Sequence, residues 1–64
     1  MIAAYVLVRI SATDPSEVVE KLRRIEGVKQ AHVTAGPIDC IAFIEGTDLA
    51  ALTATILSIR AGAG

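Results

Sequence analysis

Few residues in this chain have side chains that do chemistry, and their spacing narrows what that chemistry could be. His32 is the only histidine, and it lacks Cys, Asp or Glu partners at ligand spacing, so it does not make a metal site. It alternates with Gln30 and Thr34 on a polar parity, which reads as an exposed or interface position. Cys40 is the one cysteine; it has no partner for an internal disulfide and reads as an inert buried thiol. Gly36-Pro37-Ile38-Asp39 is a turn whose free backbone N–H groups can hold a carboxylate. Asp39 can pair with an ammonium group or cap the turn itself. Tyr5 reads as a packing residue. Lys21, Arg23 and Arg24 stand beside Glu17, Glu20 and Glu26, and a solvated helix surface accounts for them. Catalysis would rest on His32, Asp39 or Tyr5 alone, because no nucleophile–base pair, phosphate loop or carboxylate pair is present. No catalytic residue, metal or cofactor is assigned.

The elements that must position these residues belong to one small domain, residues 1–64. Six Lys+Arg against seven Asp+Glu give a net charge of −1, which argues against direct nucleic-acid binding. At 53% apolar and 20% charged, the chain is too hydrophobic for disorder. Its apolar runs are too short for a membrane span, and a reduced, cytoplasmic setting follows from the single cysteine.

Ile2 to Ile10 reads as a strand with both faces apolar except at Arg9. Asp14-Pro15-Ser16-Glu17 is a helix start, with Asp14 as cap and Pro15 in the first turn. Val18, Val19, Leu22 and Ile25 mark its buried stripe, Glu17–Lys21 and Glu20–Arg24 pair on its wet side, and Gly27 closes it as a left-handed cap. Val28 to Ala35 and Asp39 to Glu45 form a hairpin around Gly36-Pro37. Thr47 or Asp48 then caps a second helix striped by Leu49, Leu52, Ile56 and Ile59, with Arg60 suiting its C-terminal turn. The order is βαββα. The right-handed crossover rule is read here as placing the third strand beside and parallel to the first, with the second beyond it.

Two singly striped helices cover one sheet face and leave the other bare. Either parity leaves that face apolar, with a patch of several hundred Å², near the upper limit for monomers. At ~25 cal/mol per Å², hiding it is worth on the order of 10 kcal/mol before association costs. A second sheet in a homodimer is the expected cover, with Tyr5, Leu7, Ile41 and Phe43 as the contact set.

Ala4-Tyr5-Val6-Leu7-Val8, Leu22 to Val28, Val33 to Asp39 with its G-x-x-D, and Gly46-Thr47-Asp48-Leu49 together resemble the effector-binding (RAM) domain of the Lrp/AsnC transcription regulators. The closer likeness is to its stand-alone form, without a helix-turn-helix domain. The resemblance implies a ferredoxin-like α+β fold of the dimeric α+β barrel type, with an antiparallel sheet and two helices on one face. Its closing strand would follow the second helix, beyond Gly64. It also implies a non-enzymatic sensing and oligomerisation module in transcription regulation. The implied ligand is an amino acid or similar effector, contacted near His32, Thr34, Gly36, Pro37 and Asp39. The implied partners are a homodimer, an octamer and a full-length Lrp/AsnC regulator. A small enzyme of the same fold type, like the cofactor-free monooxygenases or lactone isomerases, is the alternative, and it would need polar residues facing a cleft under the helices.

Overall fold

A computed structural model describes residues 1–10 and 14–63 of the chain. The elements are β1 (Ile2–Val8), α1 (Pro15–Arg23), β2 (Val28–Val33), β3 (Cys40–Gly46) and α2 (Leu49–Ala63). Asp14 caps α1 by accepting from the Ser16 amide at 3.1 Å and from its hydroxyl at 2.7 Å, with Pro15 at the first turn. Asp48 does the same for α2, accepting from the Ala51 amide at 2.8 Å. α1 ends at Arg23, and Gly27 lies beyond it in a separate turn with φ +98°. The left-handed glycine is therefore in place, but it shapes the entry to β2 rather than closing the helix.

The sheet has the order β1-β3-β2, and both pairings are antiparallel. This corrects the parallel arrangement expected for the first and third strands. The crossover through α1 relates β1 to β2, which run the same way without touching. β3 returns from the hairpin between them and opposes both. The result is the ferredoxin-like α+β arrangement, with β1 and β2 as the two edges.

β3 alternates strictly: Cys40, Ala42, Ile44 and Gly46 are buried, while Ile41, Phe43 and Glu45 are only partly covered. Leu22, Ala31, Cys40, Ala42 and Ile44 are fully buried, with Val19, Leu52 and Ile59 packed around them. Small residues at Ala31, Cys40 and Ala42 let the helices approach the sheet closely. The ion pair on α1 runs from Glu20 to Arg23 at 2.8 Å, where the spacing had suggested Arg24. Arg23 is turned that way because its guanidinium also donates to the Ala31 carbonyl through Nε at 3.1 Å and Nη2 at 2.9 Å. It stitches α1 to β2 and is more than a solvated charge. Among the described residues, no helix is long and apolar enough to cross a membrane.

Candidate functional site

The β2–β3 connection is held at both ends. The Thr34 amide donates to the Asp39 carbonyl at 2.9 Å, and the Thr34 hydroxyl donates to the Ile38 carbonyl. Gly36 takes φ +120°, with open space where a Cβ would stand. Asp39 ties the turn to the first strand: its amide donates to the Val8 carbonyl at 3.2 Å, and its Oδ2 accepts from the Ile10 amide at 2.8 Å. The carboxylate is thus partly spent on structure through Oδ2.

Beside this turn lies a groove of about 580 Å³ between the end of β1 and the C-terminal half of α2. Val6, Ile56 and Ile59 make its aliphatic wall, while Arg9, Arg60, Pro37 and Asp39 supply its rim and polar groups. Of the ligand-contact residues selected from the sequence, the structure brings only Pro37 and Asp39 to this groove; Leu7, selected as a partner contact, lines it as well. Thr34 stays in the turn as a brace. Gly36 and His32 are exposed, and His32 stands opposite Ile41 on the bare sheet face. Arg9, Arg60 and Ile56 were missed as site residues. Arg9 carried a signal, as the lone charge in an otherwise apolar segment. Arg60 had already been assigned to the helix dipole. A second hollow of about 470 Å³ at the other end, near Met1, Gly27 and Thr55, gathers none of the selected residues. Among the described residues, no three His, Cys, Asp or Glu side chains come together as a metal set.

The bare face is formed by cross-strand rows. Tyr5, Phe43 and Gln30 make one row, and Leu7, Ile41 and His32 make the next. The Tyr5 and Phe43 rings lie 5.1 Å apart at 49°. Tyr5 is 70% exposed and Leu7 60%, so the four residues expected to meet a partner share one apolar, uncovered surface.

Cys40 sits on the opposite, helix-covered face, fully buried. Burial pushes its thiol above the usual 9.0, opposed by a hydrogen bond from the His32 backbone and by the Arg23 charge. A folded-state value above the unfolded one favours the native state below pH 9, and that contribution fades as pH rises through the folded value. Cys40 should therefore resist alkylation at pH 8 and react only on unfolding. Rapid labelling of the native protein in a mass-spectrometric time course would contradict this.

A family model for the Lrp/AsnC ligand-binding domain matches residues 3–63. The chain belongs to this family, a class of regulatory, effector-binding α+β domains. Comparisons with curated proteins and with solved structures gave no match.

Proposed function

We propose that the chain is an amino-acid-sensing and oligomerisation module, acting without catalysis in cytoplasmic transcription regulation through its own assembly or that of a full-length Lrp/AsnC regulator. One observation carries the reading: Arg9, Arg60 and Asp39 line the groove beside the Gly36–Asp39 turn together with an aliphatic wall. An α-amino acid presents the complementary set. Its carboxylate suits Arg9 or Arg60, its ammonium suits the Asp39 carboxylate, and an apolar side chain suits Ile56 and Ile59. The turn stands at the end of the bare face, so sheet stacking in a homodimer, with growth toward an octamer, would place a second subunit near it. A ligand changes such an assembly only if it binds the two states unequally. The enzymatic alternative asked for a polar cleft under the helices. His32 faces away from them, and the polar residues lining the groove, Arg9, Asp39 and Arg60, make no nucleophile–base pair.

Calorimetric titration with the twenty amino acids, paired with sedimentation, tests the reading. An apolar amino acid should bind and shift the sedimentation profile. Asp39→Asn keeps an oxygen for the Ile10 amide while removing the charge, so it should weaken binding by about ten-fold or more with little loss of stability. If no amino acid binds and none alters the profile, sensing is wrong. If Asp39→Asn lowers stability but leaves affinity intact, Asp39 is only a structural tie.

A further inference from the structure

β2 pairs with β3 along one side only, and the direction of its backbone groups follows from its register. The Thr34 amide donates to the Asp39 carbonyl, and the pairing runs on without a break from Val33–Cys40 to Gln30–Phe43. Strand residues alternate, so His32 and Gln30 turn their N–H and C=O groups toward β3, while Ala31 and Val33 turn theirs outward. Outward groups of this kind are a template for an added strand. Val33 is 51% exposed, and no proline interrupts β2.

The outward carbonyl in the middle of the strand is already taken. Arg23, in the last turn of α1, sets Nε and Nη2 on the Ala31 oxygen at 3.1 and 2.9 Å. Two donors satisfy both lone pairs of that oxygen. Nη1 is held by Glu20 at 2.8 Å, so all three guanidinium nitrogens are committed although the side chain is 47% exposed. Ala31 itself is fully buried. An added strand would run about 4.8 Å from β2 and bring an amide nitrogen within about 3 Å of the accepting carbonyl. The guanidinium stands in that place. A second obstacle lies at the start of β2, where the register shifts between Val28 and Gln30 and leaves over Lys29, exposed and charged. Between this bulge and the turn at Thr34 only Ala31 and Val33 present outward groups, so the Arg23 fork removes one of two outward acceptors.

We propose that Arg23 guards the β2 edge: by occupying the Ala31 carbonyl, with the Lys29 bulge beside it, it keeps β2 from pairing with β2 of a second copy of this chain. A second β2 is the strand to be excluded because the outward pair is self-complementary. In an antiparallel pairing centred on His32, Ala31 stands opposite Val33 of the partner subunit, and Val33 opposite the partner's Ala31. Each Ala31 carbonyl would then accept from the Val33 amide across the edge, which is half of the four hydrogen bonds that such a pairing offers. With the guanidinium in place those two bonds are lost, and Arg23 would be stripped of its partner to recover them. The guard is separate from the groove beside the Gly36–Asp39 turn, so it acts with or without a ligand there.

Arg23→Ala removes the fork, and Arg24→Ala removes the same charge from the exposed residue next to it. In sedimentation over a concentration series, Arg23→Ala should self-associate at least about ten-fold more tightly than the wild-type chain, with Arg24→Ala unchanged. Hydrogen exchange read residue by residue locates the new contact. The outward Val33 amide should exchange fast in the wild-type chain and become protected in Arg23→Ala at concentrations where that variant associates. Arg23→Lys keeps the charge without the fixed fork; it should show the same association and protection to a lesser degree, and it decides the matter if Arg23→Ala does not fold. A lower melting temperature with unchanged mass and an unprotected Val33 amide would make Arg23 only a tie between α1 and β2. Equal association of Arg23→Ala and Arg24→Ala would make net charge the cause. Either result overturns the proposal.

Discussion

Phe43→Glu should halve the mass of the assembly in sedimentation while leaving the far-ultraviolet dichroism of the folded chain in place. Phe43 lies at the middle of β3 on the bare face, between Tyr5 and Gln30, and its ring contacts Tyr5 rather than the core beneath the helices. Losing it therefore costs the isolated subunit one aromatic contact and some strand propensity, about 1–2 kcal/mol together. The cost to a stacked pair of sheets is far larger. Two carboxylates, one per subunit, would be buried against Leu7, Ile41 and each other, and an unpaired buried charge costs several kcal/mol. If two sheets stack by way of this face, hiding it is worth about 10 kcal/mol before association costs, and the substitution should then raise the dissociation constant by at least about a thousand-fold, equivalent to roughly 4 kcal/mol. An unchanged mass at micromolar concentration would mean that the face is not the seat of assembly.

The same face shows how far the sequence could be read. Strand and helix positions were legible because their signals are local: Asp14-Pro15 before a helical stripe, Gly36-Pro37 between two alternating runs, Asp48 before Leu49. The inward parity of the strands was not legible from hydrophobicity, since both parities are apolar. Size carried it instead. The helices rest on Ala31, Cys40 and Ala42, all fully buried, and the bulkier Tyr5, Leu7, Ile41 and Phe43 are turned to the other side. A sheet that presents its larger side chains outward has kept surface for a second layer. Strand direction was misread because the crossover rule was applied to the neighbour of β1 rather than to the strand at the far end of the crossover. The groove escaped for a different reason. Arg9 and Arg60 lie at opposite ends of the sequence and line one groove only because α2 returns along β1. Asp39 was found because turn chemistry is local, yet its bond to the Ile10 amide joins segments that no spacing rule connects.

The substitution expected to harm the fold most is Gly27→Ala, and its cost has two separable parts. The backbone at Gly27 has φ +98°, where an L residue loses roughly 1–2 kcal/mol. A methyl group placed there would also collide with the Thr55 hydroxyl and come within 3.1 Å of its Cγ2 and 3.3 Å of the Glu45 carbonyl. Neither neighbour can yield easily. The Thr55 hydroxyl is held between the Glu26 and Ala51 carbonyls at 3.2 Å each, and the Gly27 carbonyl is fixed by the Glu45 amide at 2.9 Å. Accommodating the methyl means lifting α2 from the turn, an overpacking cost of about 1–3 kcal/mol. Together these amount to roughly 3 kcal/mol, or a fall in Tm of about 12–24 °C for a domain this small. Gly36→Ala provides the internal comparison: φ is +120° there, but nothing lies within 4 Å of the new carbon. It should cost only the backbone part, so the difference between the two melting temperatures measures the clash. Adding Thr55→Ala to Gly27→Ala should recover part of that difference, giving a favourable coupling in the double-mutant cycle. If Gly27→Ala and Gly36→Ala melt together, the close approach of Thr55 to the turn does not hold α2 in place.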